Sequence, residues 1–283
     1  MRVGSHAMIL HLGAKSFDLT SRALVMGILN RTPDSFYDRG RYWKMDDFFA
    51  LADKHVAEGA DLLDVGGVKA GPGPEVSEAE EMERVVPAVE ALRRRFDVAL
   101  SVDTWRASVA REAYRAGAVV GNDISGFADP AYLAEAAAAG ATVVATHIRL
   151  GPRIPDPEPV YEDLVGEVAD FLVSRAQLAR QAGIDDTRIV LDAGLDLGKT
   201  ASQSAELLLA SDRLAGLGWP LLLSASNKTF LGVRFGLEVA ERLEATIAAH
   251  AVGVSLGCRI LRAHDVRSAR RVADTVAAIL DAR

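Results

Sequence analysis

Ile189-Val190-Leu191-Asp192-Ala193-Gly194-Leu195-Asp196-Leu197-Gly198-Lys199 is a short apolar run that ends on an acid, followed by glycines, a second acid and a lysine. A strand that delivers a carboxylate at its last residue is how parallel α/β proteins place a polar group at the mouth of a site. Taken alone, Asp192 reads equally well as a helix cap or a loop-ordering aspartate. The rest of the chain decides, because it repeats the pattern.

Upstream, residues 24–29 run into Asn30, 61–65 into Gly66-Gly67, 98–102 into Asp103, 118–121 into Asn122-Asp123 and 142–145 into Thr146-His147. Downstream, 220–223 run into Ser224-Ala225-Ser226-Asn227-Lys228, and 258–261 into Arg262. Helical spacing follows each run, over 45–59, 78–96, 106–116, about 130–139, 161–182, near 204–211, about 237–256 and 266–280. Strands alternating with helices imply parallel pairing through right-handed crossovers. Eight such units in 283 residues predict a TIM (β/α)₈ barrel rather than an open doubly wound sheet. No G-x-G-x-x-G follows the first strand, which argues against dinucleotide binding. Residues 8–20 alternate loosely around Gly13-Ala14-Lys15 and predict an N-terminal β-hairpin. No linker divides the chain, so residues 1–283 are expected to form a single domain.

Composition sets the outer bounds. Hydrophobic residues make up 49% of the chain, enough for a full core. The net charge of −7 opposes general affinity for nucleic acid or an anionic membrane. The single cysteine, Cys258, excludes an internal disulfide and a multi-cysteine metal site. No apolar run approaches the ~18 residues of a membrane span. The N-terminus lacks a clean secretory pattern, so a cytoplasmic location is expected.

In a barrel, the polar groups at strand ends converge on one mouth. Asp103, Asn122, Asp192 and Lys228 suit a flat, nitrogen-rich heterocycle. Carboxylates accept from ring N–H and amino groups, the amide both donates and accepts, and lysine donates to a ring carbonyl. Asn30, Arg262 and His264 look instead like an anion site, near the usual phosphate position of this fold.

Segments 26–36 (MGILNRTPDSF), 64–67 (DVGG), 101–104 (SVDT), 122–124 (NDI), 192–199, 226–228 (SNK) and 262–266 (RAHDV) resemble, in order, the signature segments of the dihydropteroate synthase family. The resemblance implies a pterin-binding barrel. It implies condensation of 6-hydroxymethyl-7,8-dihydropterin pyrophosphate with p-aminobenzoate, with Mg²⁺, to give dihydropteroate in folate biosynthesis. By position, the family's pterin pocket falls on Asp103, Asn122, Asp192 and Lys228, with Asp103, Asp192 and Lys228 carrying the chemistry. Its pyrophosphate site falls on Asn30, Arg262 and His264, with Asn30 as the metal ligand. The second-substrate loops fall on Thr32, Pro33, Asp34, Ser35, Phe36, Lys69, Ala70, Leu197 and Ser226. In the family, departure of pyrophosphate leaves a cation-like methylene that the arylamine attacks. The family also implies a homodimer through the late helices.

The departures cluster. Where the family reads G-G-E-S-T-R-P-G, this chain has Gly66-Gly67-Val68-Lys69-Ala70-Gly71-Pro72-Gly73. S-R-K has become Ser226-Asn227-Lys228, D-P-G-F-G-F-G-K has become residues 192–199 with Leu197 and Asp196, and Arg31 replaces an apolar residue. The pterin side is kept and the second-substrate side is remodelled. Three expectations follow: a working synthase with a remodelled loop, a paralogue that binds pterin without the standard condensation or with another acceptor, and a barrel of the folate-dependent methyltransferase kind. The intact N-x-T-P-D-S-F segment with Arg262 and His264 argues against the third.

Overall fold

Runs of β-branched and leucine residues become strands, and the amphipathic stretches between them wrap outside. A computed structural model describes residues 7–31 and 44–282. The loop expected at Thr32, Pro33, Asp34, Ser35 and Phe36 lies outside the described residues. A hairpin of β1 (Ile9–Leu12) and β2 (Lys15–Asp18) leads in. Then follow β3 (Leu24–Asn30), α1 (Met45–Ala57), β4 (Leu62–Gly66), α2 (Glu78–Arg95), β5 (Ala99–Asp103) and α3 (Ala107–Ala116). Next come β6 (Val120–Asp123), α4 (Tyr132–Ala138), β7 (Thr142–Thr146), α5 (Leu164–Gln181) and β8 (Ile189–Asp192). The last part holds α6 (Ala201–Leu209), α7 (Ser211–Ala215), β9 (Leu221–Leu223), α8 (Thr229–Val233), α9 (Leu243–Ser255), β10 (Cys258–Ala263) and α10 (Val266–Asp281). Strands β3 to β10 pair parallel in chain order and close through β10 against β3, giving the expected TIM barrel with its N-terminal hairpin.

Two helices differ from the periodicity. The single helix expected near 204–211 starts earlier and breaks in two. Thr200 opens α6 with a capping box, its hydroxyl accepting from Gln203 N–H at 3.2 Å while Gln203 Oε1 accepts from Thr200 N–H at 2.8 Å. The helix expected over 237–256 begins only at Leu243. Before it, a 3₁₀ turn at Val239–Glu241 is closed by Glu238 and Glu241, and Arg242 Nε donates to Leu237 O at 3.1 Å.

Period-two alternation on the strands builds the interior in layers. The lower inward positions are Leu24, Met26, Leu62, Ala99, Val120, Val144, Val190, Leu222 and Ile260, one buried apolar cluster. Leu10, Leu12 and Leu19 join that cluster, so the hairpin plugs the N-terminal end of the barrel. Two residues further along the strands stand Asp64, Ser101, Asn122, Thr146, Asp192, Ser224 and Arg262. One step of the same alternation therefore replaces an apolar floor by a polar layer. The outward positions, such as Leu63, Val65, Leu100 and Val102, pack on Phe48, Val85, Val89 and Leu92 of α1 and α2.

Candidate functional site

Asp64 is fully buried at the centre of the polar layer. Its Oδ1 accepts from Ser101 Oγ at 2.5 Å, and its Oδ2 accepts from Asn122 Nδ2 at 3.0 Å and from Arg262 Nε at 2.7 Å. Arg262 reaches up from β10 and also donates through Nη2 to Asp103 Oδ2 at 2.7 Å. The guanidinium is thus held between two carboxylates, a fixed fork rather than a mobile cation. A side-chain carbon at Gly66 would stand 3.3 Å from Asn30 Oδ1 and 3.6 Å from Asp103 Oδ2, so Asn30 and Asp103 both flank Gly66 at the end of β4.

Asp192 ends β8, with Oδ1 accepting from Gly194 N–H at 2.8 Å. Gly194 has φ 64°, and a side-chain carbon there would lie 1.9 Å from His147 O, so the turn after Asp192 admits only glycine. Asp103, Asn122, Thr146, Asp192, Ser224, Lys228 and Arg262 line one cavity, together with Ala70, Ile124, Gly194, Leu195 and Leu197. Four residues expected to meet, Asp103, Asn122, Asp192 and Lys228, therefore do share one cavity. Of the three expected at an anion site, Arg262 lines that cavity, whereas Asn30 does not line it and flanks Gly66. His264 does not line that cavity; its Nδ1 is 3.0 Å from Ser226 Oγ, which also accepts from His264 N–H at 3.1 Å.

Burial dominates the electrostatics. It pushes the Asp103 carboxyl up to about 7 although Arg262 pulls the other way, and it also raises Asp192. It lowers the Lys228 ammonium, and it lowers the His264 imidazole to about 3, with Arg262 adding to the effect. For Arg262, burial is outweighed by Asp64 and Asp103, which hold it charged. A cavity of poised carboxylates and shielded cations suits a polar heterocycle whose charge changes during reaction.

A second cleft adjoins the first and shares Ala70 and Leu197 with it. It lies between Ala70-Gly71-Pro72 after β4, Ile148 to Asp156 after β7, and Asp196-Leu197-Gly198 after β8. Arg153 spans these loops, its N–H donating to Ala70 O at 3.1 Å and its guanidinium to Lys69 O and Pro74 O. Of the expected second-substrate residues, Ala70 and Leu197 line both spaces, whereas neither Lys69 nor Ser226 lines either one. Arg31 donates to Arg84 O at 2.9 Å and lies over Phe48.

Sequence reading puts Asp64 in the 64–67 signature segment but assigns it no role, and it does not read Ser101, Thr146 and Ser224 as site residues. The signal was available, since each stands two positions beyond an inward apolar residue on its own strand. It also missed a buried pair behind the β8 turn. Lys199 Nζ lies 2.8 Å from His147 Nδ1 and donates to Gly194 O at 2.9 Å and Leu197 O at 3.0 Å. Burial lowers Lys199 to about 7 and His147 to about 3. Cys258 is buried, and burial pushes its thiol up to about 12, which makes it inert.

Residues 26–264 match the family model described as pterin binding enzyme. The chain is 43% identical over 270 residues to the inactive dihydropteroate synthase 2 of Mycobacterium leprae, covering 93% of this chain and 92% of that protein. It is 38% identical over 275 residues to the dihydropteroate synthase of Bacillus subtilis, covering 96% and 94%. The crystal structure of the Yersinia pestis dihydropteroate synthase in a sulfonamide drug complex superposes with a TM-score of 0.93 at 37% identity, covering 98% of this chain and 100% of that one.

Proposed function

The chain belongs to the dihydropteroate synthase family of pterin-binding enzymes, and on that footing we propose that its polar cavity binds 6-hydroxymethyl-7,8-dihydropterin pyrophosphate for transfer to p-aminobenzoate. One observation carries the reading: Asp103, Asn122, Asp192, Lys228 and Arg262, from five different strand ends, line a single cavity. Asn122 and Asp192 face the ring's donors, and Lys228 its carbonyl. Arg262 spends two of its five N–H groups on Asp64 and Asp103, leaving the others for pyrophosphate oxygens beside Asn30 and His264. As pyrophosphate departs, the Asp103 and Asp192 carboxylates stabilise positive charge growing on the pterin methylene.

Magnesium is held largely by substrate phosphates and waters and needs few protein ligands. Among the described residues no group of three or more His, Cys, Asp or Glu side chains could hold a metal. The single amide oxygen of Asn30, beside Gly66, fits an ion carried in chiefly by the pyrophosphate. Asn30 would hold such an ion, which would supply positive charge for the leaving group.

The second reading is pterin binding without the standard condensation, or with a different acceptor. It is favoured by the walls of the adjoining cleft, where Leu197 and Ala70 stand at remodelled positions. The relative in Mycobacterium leprae that bears the name inactive adds weight to it. Loss of one positioned contact to a transition state costs about 10²–10³ in rate, and several have changed together.

The described residues contain no helix long and apolar enough to cross a membrane. The protein acts as a single domain in the cytoplasm, as a homodimer through its late helices, near which Val233 of α8, Phe235 in the turn after it and Leu243 of α9 are exposed.

Incubation with the pterin pyrophosphate, Mg²⁺ and p-aminobenzoate, following pyrophosphate and dihydropteroate together, tests the proposal. Product formed with the pyrophosphate establishes the synthase. Calorimetric binding of the pterin without product selects the second reading, and no binding removes both.

A further inference from the structure

Asn122 can turn either its oxygen or its NH₂ toward a ligand, and the choice decides what the site accepts. Its surroundings leave no freedom. Asn122 is 3% exposed, and its Nδ2 donates at 3.0 Å to Asp64 Oδ2. Asp64 is an acceptor on every side: Ser101 Oγ donates to Oδ1, while Arg262 Nε and Asn122 Nδ2 donate to Oδ2. With the amide turned over, Asn122 Oδ1 would face a buried carboxylate oxygen, and that oxygen would lose a charge-assisted donor. The amide oxygen of Asn122 is therefore turned away from Asp64 toward the cavity, where it takes no hydrogen bond from any described residue.

We propose that Asp64 is a positioning residue that fixes the Asn122 amide with its oxygen toward the ligand, so that the cavity selects a ring edge bearing an amino group over the same edge bearing a carbonyl. Asp64 itself touches only protein: a serine, an amide and a guanidinium. Its effect reaches the ligand through Asn122, and it holds the Arg262 fork at the same time. Asp192 Oδ1 accepts from Gly194 N–H, which leaves Oδ2 as a second acceptor in the same cavity as Asn122. The complementary ligand edge is a row of N–H donors, as in an aminopyrimidine.

This inference rests on the pterin reading, and the test separates the two. Calorimetry compares 6-hydroxymethylpterin with 6-hydroxymethyllumazine, which carries a carbonyl in place of the amino group, on the full chain. The wild-type protein is expected to bind the pterin at least ~10-fold more tightly, since the lumazine sets acceptor against acceptor. In Asp64→Ala the Asn122 amide is free to turn, and the preference falls several-fold toward parity. In Asp64→Asn an acceptor oxygen still faces Asn122 Nδ2, and the preference is kept. A merely structural role would weaken both ligands together and leave their ratio unmoved. An unmoved ratio in Asp64→Ala overturns the role of Asp64 while the pterin reading stands. Equal binding of both ligands by the wild-type protein overturns the fixed amide without any variant. Binding of neither ligand by the wild-type protein overturns the pterin reading and this inference with it.

Discussion

Asp196 occupies a left-handed backbone position, φ 64°, that non-glycine residues adopt at a cost of about 1–2 kcal/mol. The family pattern has glycine there. What Asp196 gains is a second task. Its Oδ2 accepts from Thr229 N–H at 2.5 Å, while Ser204 Oγ accepts from Asp196 N–H at 3.0 Å and donates to its Oδ1 at 3.2 Å. Lys228 stands at the N-cap of α8 and makes no side-chain cap bond, so Asp196 caps that helix from another loop. Asp196→Ala keeps the strain the wild type already carries and loses the cap, and is expected to destabilise by ~1–2 kcal/mol. Asp196→Gly loses the same cap but relieves the strain, and is expected to stay within ~1 kcal/mol of the wild type. Urea unfolding of the two variants checks the order; a glycine variant less stable than the alanine one contradicts this account of the site.

Among the elements, the loop from His147 to Asp163 is the brace of the mouth. It holds the loop after β4 through Arg153 and the turn after β8 through Tyr161, whose hydroxyl donates to Gly198 O at 2.7 Å. Arg149 and Asp156 stiffen it with two bonds of 2.5 Å. Arg153→Ala is therefore expected to speed amide hydrogen exchange at residues 69–76 while β4 stays protected. Equal exchange in both proteins would show that the strap is idle. These cross-loop bonds were invisible in the sequence, because each joins residues from different strand ends. The strands were legible from short apolar runs, and their polar ends from position. The α8–α9 stretch was misread because a 3₁₀ turn at Val239–Glu241 carries the same apolar spacing as a helix. Asp64 stands in a signature segment, but its contacts are not legible there, because it sits inside its strand and the two-residue step from Leu62 is what turns it inward.

For the molecule as a whole, buried imidazoles set the response to acid. Burial lowers His55 and His250 to about 4, and His147 and His264 to about 3. A group with a folded-state pKa below its unfolded value near 6.5 contributes stability above pH 6.5 and loses it as pH falls toward the folded value. His250, in α9 away from the mouth, isolates the effect. His250→Leu is expected to shrink the stability lost between pH 7.5 and pH 5 by about 2 kcal/mol, measured by denaturant unfolding at both pH values. Asp103 and Asp123 work the other way. Burial raises them to about 7 and about 6, so their contribution is lost as pH rises through those values. A wild-type loss equal to that of His250→Leu would mean that His250 is charged in the folded state.

The hairpin under the barrel has a kinetic meaning. With Leu10, Leu12 and Leu19 packed into the floor, the barrel interior is closed at its N-terminal end. Whatever rests on Asn122 and Asp192 sits beneath anything held between the outer loops at Ala70 and Leu197. Two molecules that filled both spaces would have to enter in order, the deeper one first.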